Sequence, residues 1–290
     1  VDNATESKPA GDFSTTNIQV TGVDEGDVIK SDGHTLFYLE SSLSYSEYCS
    51  QPGYYNRCTG KQELAGETLA LRPVTSDLIA LDVNPVSRIK LPWSLPNAST
   101  SLYLADTNND TRADQLVVLR TSTPRYWTMD SWRSPWSWRN GVTEMFIYGV
   151  KDPAAPELLH QAKIEGYLLE SRRIGQTVYL VTRFTPDVTV LDKPATENKG
   201  ASAGDSTPRA KEWDQWLPSI GYPVSGYHQP LVTPTQCLLP TLQQKRYGSL
   251  LSITAIDLSY PESPKTLCYL GDLTGFYASG QSFYITDSIY

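Results

Sequence analysis

The heptapeptide GHTLFYL, residues 33–39, decides the fold because it recurs as GQTVYLV at residues 175–181 and as GQSFYIT at residues 280–286. Each copy begins with a glycine, which accepts the positive φ of a tight turn without a steric penalty. β-Branched and aromatic residues follow in alternation, as they do in half-buried strands. The segments before these glycines alternate in the same way, so the three copies predict three β-hairpins.

A second kind of hairpin lies between these copies. It comprises LIALDVNPVSRIKL (residues 78–91), MFIYGVKDPAAPELLHQAKI (residues 145–164) and ITAIDLSYPESPKTLCYL (residues 253–270). Each is a strand, a polar turn that carries proline, and another strand. Proline suits the connection because it cannot donate to a strand ladder.

One hairpin of each kind makes a four-stranded antiparallel unit, and repetition of such units along a chain is typical of a β-propeller. The units span residues 17–91, 101–164 and 166–270, and a fourth begins at residue 272. The prediction is therefore an all-β propeller of about three and a half blades, with a two-sheet β-sandwich as the alternative.

The predicted domain organisation is an N-terminal extension or linker at residues 1–16 and a partial β-propeller at residues 17–290. Insertions are predicted at residues 121–141 and 183–247. A half blade would leave an open sheet edge. The remaining blades of a longer protein, or a second copy, are therefore expected to complete the ring.

The opening segment FSTTNIQVTGVDEGDVIKSDGHTLFYL, residues 13–39, resembles the signature of a family of secreted prokaryotic proteins. That family carries a β-propeller domain distantly related to WD-40 repeats, and the resemblance continues through most of the chain. It implies a secreted, periplasmic or surface-anchored propeller. Within the segment, Asp24, Glu25 and Asp27 are interpreted as structural, with Asp24 capping a turn and Asp27 paired with Lys30. General acid–base work or cation binding by these carboxylates is the alternative.

A fourth copy of the first hairpin lies in SLYLADTNNDTRADQLVVLR, residues 101–120, where an acidic loop replaces the glycine turn. The loop offers oxygen ligands at alternating positions, from Asp106, Asn108, Asp110, the carbonyl of Arg112, and Asp114. It resembles the calcium-binding hairpin loops of integrin-type propellers, and hard oxygen ligands suit calcium. Thr111 stands where glycine is usual. A metal-free turn rich in Asp and Asn is the alternative.

The four cysteines, at positions 49, 58, 237 and 268, form no C-x-x-C pair, which argues against a zinc site. Disulfides Cys49–Cys58 and Cys237–Cys268 are predicted, as expected in an oxidising compartment. Four unpaired thiols in a cytosolic protein are the alternative. The net charge of −8 argues against nonspecific nucleic-acid binding, and no apolar run reaches the length of a membrane span.

A tryptophan-rich loop, residues 125–140, joins the two hairpins of the second unit. Loops on a rigid scaffold commonly bind partners, and Trp and Arg are enriched at interaction hot spots. A self-packed cover over the propeller end, or a contact with further blades, is the alternative. The residues predicted to bind a protein or carbohydrate are Tyr126, Trp127, Trp132, Trp136 and Trp138.

No catalytic motif accompanies these features. One G-x-S-x-G match, GASAG at residues 200–204, lies in a segment rich in Ala, Ser, Thr and Gly and lacks the strand–turn–helix context that the motif requires. No phosphate-binding glycine loop occurs, and no motif places His34, His160 or His228 beside a nucleophile. The expected function is a noncatalytic extracytoplasmic propeller that binds a protein or glycan through end loops. The alternatives are a hydrolase or lyase with an axial site completed by further blades, and a structural module of a cell-surface assembly.

Overall fold

The computed structural model describes residues 20, 22–41, 67–73, 84–91, 98–122, 141–185, 216–238, 249–271 and 273–286. Within these ranges the chain forms strands and one 3-10 turn at Pro234–Gln236. No helix in these ranges has the length and apolar character to cross a membrane.

The strands of the described residues are numbered here in chain order. They are β1 (Val23–Glu25), β2 (Ile29–Ser31), β3 (Thr35–Ser41), β4 (Glu67–Pro73), β5 (Ser87–Lys90), β6 (Ala98–Ala105), β7 (Gln115–Ser122), β8 (Val142–Gly149), β9 (Glu157–Glu165), β10 (Tyr167–Ile174), β11 (Thr177–Phe184), β12 (Ser219–Tyr222), β13 (Tyr227–Pro230), β14 (Cys237–Leu238), β15 (Leu250–Asp257), β16 (Lys265–Leu270), β17 (Gly275–Ala278) and β18 (Phe283–Thr286).

Three four-stranded antiparallel units and one two-stranded unit result, as the repeats predict. Blade one is β2-β3-β4-β5, blade two is β6-β7-β8-β9, and blade three is β10-β11-β15-β16. The partial fourth blade is β17-β18. Strands β12 and β13 extend blade two, β14 lies parallel to β16, and β1 joins the other edge of blade three through β10.

One strand of blade one differs from the prediction. Residues 87–90 of β5 pair with residues 68–71 of β4, whereas LIALD, which begins at residue 78, was expected to be the partner. The segment ETLALRP, residues 67–73, alternates equally well between apolar and polar residues. It pairs antiparallel with β3 along its whole length. The hairpin pattern therefore selected the right kind of element but the wrong segment.

Blade two packs on both faces, as alternation along its strands requires. On β6, Leu102 and Leu104 face blade one and join a core with Phe37. Tyr103 on the same strand faces blade three and joins a core with Leu180. Period-two alternation in β6 therefore divides one strand between two hydrophobic cores.

The predicted turn glycines behave differently in the three hairpins. Gly33 and Gly175 have φ values of 84° and 58°, which is the left-handed region that glycine tolerates. Gly280 does not adopt a positive φ, and its turn is held instead by the Ser279 hydroxyl, which accepts from the Ser282 N–H at 3.0 Å. The third repeat is thus a hairpin with a different turn.

Candidate ligand cleft at one end of the propeller

The segment 22–28 crosses from blade three to blade two, and we call it the strap. Its strand β1 pairs along β10, with Val23 opposite Ile174. Asp27 then pairs with Leu102 of β6, whose N–H donates to the Asp27 carbonyl at 2.7 Å. Because β6 and β10 are the first strands of their blades, the strap lies along the inner edges that face the propeller axis.

A buried ion-pair cluster fixes the strap. One carboxylate oxygen of Asp24 lies 2.7 Å from Lys30 Nζ, and the other lies 3.2 Å from the Arg173 guanidinium. The predicted Asp27–Lys30 pair is wrong, because Asp27 accepts a hydrogen bond from the backbone N–H of Val28 instead. Asp24 does not cap a turn either, since it lies within β1. Its role is still structural, as expected.

The opposite face of the strap carries a second charged group. Arg172 lies 3.4 Å from a Glu25 oxygen and 3.0 Å from a Glu170 oxygen. Its guanidinium also stacks over the ring of Phe276 in the partial fourth blade, 5.5 Å from the ring centroid. Arg172 therefore links the strap, blade three and blade four, and its charge is shared by two carboxylates.

A polar cleft of about 220 Å³ lies between the inner edges of blades two and three. Gly26 of the strap closes one side, and a Cβ there would lie 2.8 Å from the Cβ of Ser101. Tyr103 is fully buried beside the cleft, and burial raises its pKa well above the usual range for tyrosine. The polar side chains of the lining belong to Ser99, Ser101, Thr121, Tyr167, Glu170, Ser171 and Arg172.

The three longest connections between blade strands, β3–β4, β7–β8 and β11–β15, begin and finish at the end of the propeller that holds this cleft. Thr121 near the end of β7 and Tyr167 at the start of β10 line the cleft, so the β7–β8 connection begins beside it. By the same antiparallel order, the β3–β4 and β11–β15 connections leave from this end. We call it the cleft end.

At the opposite end the first hairpin turns of the blades meet around the acidic loop, so we call it the acidic end; the β4–β5 connection, residues 74–86, also leaves from it. The Ala113 N–H donates to Asp32 of blade one at 3.1 Å. Gln176 of blade three donates to the Asp106 carbonyl at 2.6 Å. The first hairpin turns of three blades therefore meet there.

Within the acidic loop the carboxylates accept hydrogen bonds from the loop's own backbone. Asp106 accepts from the N–H groups of residues 110 and 111, and Asp110 accepts from that of Arg112. Both oxygens of Asp114 are turned toward Thr107. Thr111 has a φ of 73°, so it adopts the left-handed conformation that its position in the predicted calcium motif requires.

The donor types of this loop suit calcium, but their arrangement suits it only in part. Across the described residues, no group of three or more His, Cys, Asp or Glu side chains is placed to hold a metal ion. Calcium binding would require Asp114 to turn away from Thr107 and Asp106 to exchange a backbone N–H for the ion. Calcium at this loop therefore stays a prediction.

The histidines lie away from the strap. His34 is in the turn at the acidic end, and His160 is buried against Tyr222 with its Nε2 atom unbonded. Burial lowers the pKa of His160. His228 makes a 2.8 Å hydrogen bond between its Nε2 and the Ser219 hydroxyl.

The Ser219–His228 pair was not predicted from the sequence. The nearby acidic residue, Glu165, accepts from the Ser219 backbone N–H and so does not orient the imidazole. Ser219 is also buried. The pair consequently holds the β12–β13 hairpin together, and no third group of a nucleophilic triad accompanies it among the residues that the structure describes.

Of the predicted disulfides, Cys237–Cys268 is present and joins β14 to β16. Cys49 and Cys58 lie outside the described residues. The predicted partner-binding residues Tyr126, Trp127, Trp132, Trp136 and Trp138 lie outside them as well. No motif in the sequence had indicated the strap's partners or the cleft, because both depend on pairing between distant segments.

The repeated four-stranded blades and the strap along their inner edges define this molecule as a β-propeller. A family model described as "Beta propeller domain" matches residues 13–289, so the chain belongs to the Beta propeller domain family. No curated protein matches the chain. No solved structure matches it either.

Proposed function

We propose that this chain is a noncatalytic, extracytoplasmic β-propeller that binds a protein or glycan partner through the loops of its cleft end. The observation that carries the proposal is the placement of the three long connections, which all start and finish at the end that holds the cleft. Loops gathered at one end of a rigid scaffold are a common way to build a binding surface. Extracytoplasmic location is supported by the Cys237–Cys268 disulfide.

The charges along the axis favour binding over catalysis. Asp24 and Glu25 of the strap and Glu170 of β10 each contact a basic side chain, and the remaining strap carboxylate, Asp27, is exposed and accepts from the Val28 N–H. Paired carboxylates of this kind stabilise structure and are not poised for proton transfer. The described histidines do not lie beside them. An axial hydrolase or lyase therefore has less support than a binding module.

The proposal is tested by replacing Trp127, Trp132, Trp136 and Trp138 with Ala and measuring binding to immobilised cell-surface proteins and polysaccharides. We expect a nearly unchanged melting temperature and loss of binding. Tyr260→Ala is the matched control, because Tyr260 is 73% exposed in a turn of the acidic end and should leave binding intact. A large fall in the melting temperature of the Trp variants would show that these residues are core.

A further inference from the structure

We propose that the cleft between blades two and three binds a single neutral sugar residue of a glycan. The inference rests on the proposed function and names the class of ligand for that same end of the molecule. It follows from which lining groups are already bonded, from the local charge, and from the size of the cleft.

The lining hydroxyls fall into two groups. Thr121 accepts from the Leu168 N–H at 3.1 Å, and Ser171 bonds to the Tyr103 hydroxyl at 2.8 Å, so both belong to the structure of the wall. By contrast, the side-chain hydroxyls of Ser99, Ser101 and Tyr167 line the same cleft, make no hydrogen bond to any described residue and are open to solvent, since Ser99 is exposed and the other two are half-buried. A hydroxyl both donates and accepts, which matches the paired donor and acceptor character of sugar hydroxyls.

The charges around the cleft favour a neutral ligand over an anionic one. Arg172 is the basic residue of the lining, and both Glu170 and Glu25 contact it. An anion would therefore find no unshared positive charge among the described residues here, because Arg172 already contacts two carboxylates and the nearby Lys30 and Arg173 both contact Asp24. The Glu170 side chain is 39% exposed, and its Oε2 atom lies 3.0 Å from the Arg172 guanidinium. The Oε1 atom of Glu170 can therefore accept a hydrogen bond from a neutral hydroxyl.

The walls and the size favour a sugar over a peptide. In the wall that β10 forms, backbone groups are already bonded to neighbouring side chains. The Leu168 N–H donates to the Thr121 hydroxyl, and the Ser171 carbonyl accepts from the Arg172 guanidinium at 2.7 Å. Such a wall has no backbone pair at these positions to which a peptide strand could add. A volume of about 220 Å³ lies below the range that drug-sized ligands fill, which suits one ring.

The test uses the whole protein and a panel of methyl glycosides of glucose, galactose, mannose and N-acetylglucosamine, with glucuronate as the charged analogue. Saturation-transfer NMR should detect binding of at least one neutral glycoside and none of glucuronate. Ser99→Ala, Ser101→Ala and Tyr167→Phe should each weaken that binding about 2- to 12-fold, as expected for one lost hydrogen bond. The combined variant should abolish it.

Two matched controls, Ser259→Ala and Tyr260→Phe, remove hydroxyls from a turn of the acidic end and should bind as the unmodified protein does. Absence of binding by every neutral glycoside, or equal binding of glucuronate, would overturn the inference. Capture of a peptide by the cleft, with the three hydroxyl variants defective, would overturn it as well. If sugars fail while loop-dependent partner binding persists, the proposed function stands without this inference. If a neutral glycoside binds the cleft while no loop-dependent partner binding is found, the inference stands and binding through the loops is contradicted.

Discussion

At the scale of single residues, the acidic loop shows how carboxylates can organise a turn that has no glycine. Asp106 and Asp110 accept from backbone N–H groups that would otherwise point into the loop without partners. Asn109 and Thr111 adopt left-handed conformations, with φ values of 61° and 73°. For a β-branched residue this conformation is strained, and the surrounding hydrogen bonds maintain it.

Calcium is predicted to stabilise the folded protein through this loop. The melting temperature should rise with calcium concentration, because the ion would bind only the folded state. Asp110→Ala should abolish the increase, and the measurement is thermal unfolding of protein first confirmed to be metal-free. Asp152→Ala, in the turn between β8 and β9, is the control and should retain the increase. Identical melting curves in calcium and in chelator would identify an ordinary polar turn.

The residue scale also marks a limit of prediction from sequence. Local spacing suggested that Asp27 pairs with Lys30, and the actual partner of Lys30 is Asp24. The deciding residue is Arg173, which is 149 positions from Asp24 and brings a second positive charge to the same carboxylate. A pairing that depends on a remote strand leaves no signature in the local sequence.

At the scale of elements, hairpins were predictable because period-two alternation and turn chemistry are local. The fourth hairpin, β6–β7, was found in the same way despite its altered turn. Two kinds of element were not predictable. The true position of β4 was hidden by two alternating segments of equal quality, and β1 has only three residues and gains its pairing from β10.

Removing the central carboxylate of the strap is predicted to destabilise the folded protein strongly. Asp24→Asn should lower the free energy of unfolding by about 3 kcal/mol or more, because it leaves Lys30 and Arg173 buried beside each other without a countercharge. The Lys30 side chain is 5% exposed and the Arg173 side chain is 12% exposed. Chemical denaturation measures the change.

Asp27→Asn is the matched control for this experiment. Asp27 lies in the same strap, but its side chain is exposed and, within the described part of the chain, accepts only from the adjacent Val28 N–H. It should change the free energy of unfolding by no more than about 0.5 kcal/mol, which is usual for a surface substitution. Equal losses in the two variants would contradict the assignment of the buried cluster as the anchor of the strap.

At the scale of the whole molecule, the number and kind of blades were predictable, whereas the division into two ends was not. The number of sequence repeats gives the number of blades, because each blade is formed by one copy of the repeated pair of hairpins. The gathering of the long connections at the cleft end follows from antiparallel order combined with contacts such as Asp32 with Ala113 and Asp106 with Gln176. The cleft itself needs both blades, so neither repeat alone encodes it.

Disulfides are predicted to be complete in the mature protein. Thiol titration of the unfolded, unreduced chain should find no free cysteine, and peptide mapping should recover Cys49–Cys58 and Cys237–Cys268. The second bridge closes a separation of 31 residues and should contribute about 3–4 kcal/mol in the chain-entropy model. Cys237→Ala should show that loss in chemical denaturation. Four reactive thiols would contradict the prediction.

The strap also constrains the order in which the molecule assembles. Asp24 and Arg173 are separated by 149 residues, so the ladder between β1 and β10 closes a very long loop. Contacts of such high sequence separation form slowly, whereas the hairpins within each blade form early. Docking of the strap is therefore a late step in folding that locks blade three against blade two. In a refolding experiment, amide protection at residues 23–27 should consequently lag behind protection in β7 and β8.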